Sequence, residues 1–173
     1  MKQIKLGMST SGIDEAIGQL QAYKSEFNSK VDKLRKRVAE ELRLMVESGF
    51  SGSIVDDLGA YGVVNAQVSV KVRDEGEVSV VVATGDDAVF AEFGTGIYYN
   101  GGVGTSLHPK GAELGLTIGS YSPDSKGAYP YWFFGHGPDA RMTHGAPTQM
   151  PMYNAAQDIA RYIQDIAREV FAT

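Results

Sequence analysis

The stretch "VNAQVSVKVRDEGEVSVVVAT", Val64 to Thr84, decides the fold. Its first half alternates Val64, Ala66, Val68, Val70 and Val72 with Asn65, Gln67, Ser69, Lys71 and Arg73. Successive side chains of a strand point to opposite faces, so this period of two marks a strand with one buried face. Asp74 to Glu77, with glycine third, supplies a turn, and the valines beyond return as a second strand, more apolar on both faces. The expectation is a hairpin over 63–84. "GDDAV", Gly85 to Val89, ends it.

Outward from the hairpin the period changes. Ile17, Leu20, Lys24, Phe27, Val31, Leu34, Val38, Glu41 and Met45 fall at alternating steps of three and four, a heptad seam that predicts a helix over 13–48. Two seam positions are charged and Leu42 lies beside Glu41, so the stripe broadens onto a sheet rather than staying a strict coiled coil. At about 1.5 Å per residue the helix reaches roughly 50 Å, more than a domain of this size needs internally, so part of it projects or bends. Ser11 or Gly12 is the expected start and Gly49 the expected stop. On the other side, Pro151 is placed to open a second helix over 151–171, with Met152, Ala155, Ala156, Ile159, Ile163, Ile166 and Val170 on one face. A helix, strands, loops and a helix in that order predict an α+β fold, its helices on one side of a mostly antiparallel sheet. The length of 173 residues suits a single domain.

Residues 88–147 hold a short motif and then long loops. Twelve of the 21 glycines lie from Gly94 to Gly145, and a loop region of this length is functional or ordered by a partner. Tyr129, Tyr131, Trp132, Phe133 and Phe134 cannot all face water, so some enter the core or a short strand and the rest are interface anchors.

Charge is uneven. The total is -5, yet from Lys24 to Arg43 seven bases face four acids, a local +3 that leaves -8 for the remainder. Opposite-sign regions suit contacts between copies, and a solvated helix face explains them equally. Lys33, Lys36 and Arg37 could track a phosphate backbone, but Val31, Leu34 and Val38 give the same helix a packing role, so a solvated or ion-pairing face is the preferred reading. A general nucleic-acid binder is usually basic overall. With no cysteine, disulfides, thiol catalysis and cysteine-ligated zinc are excluded. No apolar run reaches the roughly 18 residues of a membrane span, and "MKQIKLGMSTSG" does not read as a signal peptide.

Tests for chemistry return little. "GGVGTSLHPKG" lacks the Gly-Lys-Ser/Thr ending of a phosphate-binding loop. His108, His136 and His144 share the loop region with Glu113 and Asp139, but not at metal-ligand spacing. "GFSGS", Gly49 to Ser53, misses the nucleophile elbow by one position. A glycosidase would need two carboxylates across a cleft, for which Glu92 with Asp86 or Asp87 is the local candidate. In "AVFAEFGTG", Ala88 to Gly96, Glu92 sits between Phe90 and Phe93 before a sharp turn. Phe90 and Phe93 are expected in the core and Gly94 and Gly96 in the reversal. Glu92 either accepts backbone N–H groups of the turn or pairs with a base on the first helix, in the same or a neighbouring copy.

"AEFGTG" and "THGAPTQMPMYNAAQDIARYIQDIAREVF", Thr143 to Phe171, together resemble the neck, or head-to-tail joining, proteins of long-tailed bacteriophages, also labelled tail components or tail completion proteins. The resemblance spans most of the chain. Its carriers are Glu92, Phe93, Gly94 and Thr95 after a strand pair, Gly96, the Trp132 region, and Pro151 opening the last helix. Met152 stands where that family has an aromatic, and the stretch from Ile97 to Gly127 is longer than the family's. The resemblance implies a non-enzymatic virion protein without cofactor or metal, assembled in the host cytoplasm and resident in the neck or tail. As partners it implies copies of itself in a ring, the head connector, and the tail tube or tail terminator, with non-specific contact to phage DNA and none to membrane. A small hydrolase acting on cell wall or glycan, and a DNA-binding channel protein, are the rivals.

Overall fold

The computed structural model describes residues 9–57, 62–119, 130–134 and 137–172 of the chain. Thr10–Ser51 form one helix, α1, longer at both ends than 13–48. Ser9, not Ser11 or Gly12, caps it, its hydroxyl accepting from the Gly12 N–H at 3.2 Å. Gly49 does not stop it. Its missing side chain serves close packing instead, since a Cβ there would lie 2.9 Å from the Cβ of Pro151. Pro151–Ala172 form the last helix, α4, which begins beside Gly49 and ends where Phe171 meets Phe27 with ring centroids 5.8 Å apart. The two helices are therefore antiparallel, and Arg37 pairs with Glu169 at 2.9 Å along the way. On α4, Ala155, Ile159, Ile166 and Val170 are buried, but Ala156 and Ile163 of the expected apolar face are exposed.

The heptad seam of α1 rotates as it runs. Toward the C-terminus the buried positions are Ala39, Val46 and Phe50, with Leu42 packed beside them. A helix of 3.6 residues per turn drifts against a repeat of 3.5, which brings Leu42 inward and passes over Glu41.

The strands are short, and among the described residues they fall into four antiparallel pairs, not one continuous sheet. β1 (Ile54–Asp57) pairs with β2 (Gly62–Asn65), and β3 (Ser69–Asp74) with β4 (Ser79–Thr84). The expected hairpin over 63–84 is thus confined to β3 and β4, turning through Glu75 to Val78. Its leading residues leave for another partner because the chain is pulled aside between them. The Ala66 N–H donates to the Ser53 carbonyl at 2.9 Å, and the Gln67 N–H to Asp87 Oδ2 at 2.8 Å. The alternation survives the break: Val64, Val68 and Val72 are half-buried and Ala66 and Val70 buried. After β4 come a short helix, α2 (Ala88–Phe93), another, α3 (Ile97–Asn100), and the pairs β5 (Gly104–Thr105) with β6 (Thr117–Ile118) and β7 (Trp132–Phe134) with β8 (Arg141–Thr143). The loop region thus contains more regular structure than its composition predicts. Tyr129 and His136 lie outside the described residues.

Val46 and Phe50 of α1, Ala66, Val70 of β3, Ala88 and Ala91 of α2 and Ala155 of α4 form one buried cluster. Small residues on α2 and α4 let these elements approach Phe50, whose burial stabilises by about 1.5–3 kcal/mol. No helix among the described residues is long and apolar enough to cross a membrane.

Candidate functional site

Helix α4 starts with a deficiency. Residues before it should offer a side-chain oxygen to its first unpaired N–H groups, but Met150 stands there, with φ of 58°, and a thioether is a poor acceptor. Glu92, at the end of α2, supplies the missing group. Its Oε2 accepts from the Met152 N–H at 2.8 Å and its Oε1 from the Tyr153 N–H at 2.9 Å. The carboxylate also meets the positive end of the helix dipole. Within the chain this role differs from the expectation for Glu92: it neither bonds the following turn nor pairs with a base on its own α1.

His108 completes the arrangement. Its Nε2 lies 3.0 Å from Glu92 Oε1, and its Nδ1 is 2.9 Å from the Lys110 backbone N–H. Since Nδ1 must accept from that N–H, the proton sits on Nε2 and is donated to Glu92. Phe93 and Tyr153 close over the imidazole with ring centroids 4.4 and 5.2 Å away. The side chains of Glu92 and His108 are only 7% and 4% exposed, so solvent has little access. Phe93 is half-buried as part of this lid, whereas Phe90 is 44% exposed and not the core anchor that its spacing suggests. Ala91, fully buried, takes that place.

The turn after Phe93 is held by other groups. Thr95 and Ala146 exchange backbone bonds of 2.8 and 3.0 Å, and Asn100 Nδ2 reaches the carbonyls of Thr95, Gly96 and Ala146. Gly94 and Gly96 have φ of 75° and 79°, and a Cβ on Gly96 would lie 2.0 Å from the His144 carbonyl and 2.8 Å from the Trp132 ring. Glycine is therefore required both by dihedral and by space. The half-buried Trp132 ring lies against Gly96 and Gly145, while Tyr131 and Phe133 on either side are exposed. Gln149 fastens the same joint to β1, donating to the Ile54 carbonyl at 2.9 Å and accepting its N–H at 2.8 Å.

A second buried acid was not singled out by sequence. Asp56 of β1 accepts at Oδ2 from His144 Nδ1 at 2.8 Å and from the Tyr99 hydroxyl at 3.2 Å. Its Oδ1 is buried with no hydrogen-bond partner among the described residues. Burial, then the Asp56 charge, pushes the Tyr99 phenol above its ordinary range. Tyr98 stacks on His144 with centroids 4.5 Å apart. His108 and His144 thus serve separate carboxylates, and among the described residues no group of three or more histidines and acids is placed to hold a metal.

The basic residues lie elsewhere, on α1. Lys36 pairs with Asp32 at 2.9 Å, Arg37 with Glu169, and Lys33 is exposed. Arg35 bridges Asp32 and Asp74, each at 2.5 Å, tying α1 to the β3–β4 turn. Of the sequence candidates, Glu92, Phe93, Gly94, Thr95, Gly96, Trp132 and Pro151 meet at one joint, and Lys33, Lys36 and Arg37 do not join it. Asp86 is exposed, and Asp87 accepts the Gln67 N–H, so neither forms a carboxylate pair with Glu92. An open groove of about 740 Å³ between α1 and α4, lined by Glu41, Leu44, Ser48, Gly52, Asn154 and Asp158 among others, does not include Glu92. No protein-family model, curated protein or solved structure matches the chain.

Proposed function

We propose that the chain is a non-enzymatic structural protein of a phage or prophage virion. It acts in head-tail joining or tail completion, by assembling with copies of itself and docking to connector and tail proteins in the neck. The observation that carries the reading is the joint itself: the residues of the family resemblance, drawn from three separate stretches of the sequence, converge on one buried joint that serves packing. Glu92 is committed to two helix N–H groups and a histidine, which leaves the hydrolase reading without its carboxylate. The DNA-channel reading loses Arg37 and Lys36 to ion pairs within the chain.

Docking surface is available beside the joint. Phe90, Tyr98, Val103, Leu107, Leu114 and Phe133, all from the α2 to β7 part of the chain, are exposed large apolar side chains. Purified chain added to a lysate that holds unjoined heads and tails is expected to restore joined particles and plaque titre. A lysate left unchanged by the chain, with heads and tails otherwise competent, contradicts the reading.

A further inference from the structure

The first turns of α1 carry an apolar stripe that α4 does not reach and that stays largely open among the described residues. α4 ends at the level of Phe27, so residues 10–26 run beyond it for about 25 Å at 1.5 Å per residue. Ala16 is buried there, but Ile13, Ile17, Leu20 and Tyr23 remain 46, 47, 53 and 51% exposed. Ile13, Ile17, Leu20, Lys24 and Phe27 continue the steps of four and three without a break. That spacing matches a second helix laid alongside at a repeat of 3.5, rather than a flat surface.

We infer that this segment binds the same segment of a second copy, as a short antiparallel helix pair. Charge chooses both partner and direction. In the seam Ile17 and Lys24 occupy one class of position and Ile13 and Leu20 the other. Antiparallel pairing sets each class against the other, so Ile17 meets Leu20 of the second copy and Lys24 comes level with its Ile13. Lys24 then lies on the side where the second copy carries Asp14, and the two-fold repeats this opposite-charge contact at the other end. A parallel pair would instead stack Lys24 on Lys24, with like charges opposed. The contact is isologous, using the same patch on both copies, and stands whether or not the chain joins heads to tails.

The full-length chain tests this directly, because it has no native cysteine to interfere. By light scattering at concentrations on the order of 100 µM, suited to so small an interface, Leu20→Glu should halve the particle mass with its circular dichroism unchanged. Lys24→Glu should weaken the pairing, and Asp14→Lys combined with Lys24→Glu should restore it. Under mild oxidation a mixture of Ile13→Cys and Lys24→Cys chains should cross-link to each other, with neither variant forming a disulfide dimer alone. Equal mass for wild type and Leu20→Glu overturns the inference, as does efficient cross-linking of either single variant with itself, which marks a parallel pair.

Discussion

Glu92 joins two elements whose sequence separation hides the link. Replacing it by Gln keeps one acceptor oxygen but turns an amide NH₂ toward groups that already donate. Glu92→Gln should therefore lower stability by about 1–3 kcal/mol, read as a drop in urea midpoint; an unchanged midpoint would remove Glu92 as the cap of α4. Gly96→Ala should cost about 3 kcal/mol or more, combining positive φ with a backbone overlap, and a melting temperature equal to wild type would contradict this. Tyr99 gives an alkaline test. Its phenol is held protonated in the fold, so the stabilisation is complete below the ordinary tyrosine value of about 10 and is lost as pH rises through the higher folded value. Tyr99→Phe should flatten stability above pH ~10, and an alkaline limb as steep as wild type would contradict the assignment. The sequence itself holds a clue to the role of Glu92. "QMPM", Gln149 to Met152, has no capping side chain directly before its helix-opening proline, and such a gap demands an acceptor from elsewhere.

At the scale of elements, α1 is fastened to the hairpin by Arg35. Its guanidinium, first through hydrogen bonds, holds both Asp32 and Asp74 below the ordinary aspartate range. A lowered folded value means that the stabilisation is present above the unfolded value of about 4 and disappears as pH falls below it. Arg35→Leu should flatten the acid limb of stability, measured as urea midpoint between pH ~2 and ~6. Two glycines of α1 separate propensity from packing. Gly18 has open space where a side chain would go, so Gly18→Ala should stabilise by about 1 kcal/mol. Gly49 faces Pro151 at contact distance, so Gly49→Ala should destabilise despite the same propensity gain. Melting temperatures that shift in the same direction for both variants would contradict the close α1–α4 approach. Periodicity revealed both helices and the strand alternation, since those signals are local. It could not reveal the division into separate strand pairs, because Asp87 and Ser53, which draw the chain aside at Ala66 and Gln67, act from distant positions.

Across the whole molecule, the chain divides its apolar residues between a core around Phe50 and surfaces left open on the projecting end of α1 and around the loop region. The α+β class was legible from the order of periods, and the composition of the loops pointed to aromatic anchors, of which Trp132 packs inward while Tyr131 and Phe133 stay outside. What composition could not separate was a docking motif from a packing joint, because Glu92 reads alike in both. The account therefore rests on the outer surfaces working by assembly, with the buried acid serving only to hold them in place. The direct measurement of the proposed role is a count, by negative-stain electron microscopy, of joined particles made by a phage or induced prophage that carries this sequence, after its copy is deleted. The account predicts filled heads and finished tails lying apart, with joining restored by supplying the chain; normally joined, infectious particles in its absence would contradict it.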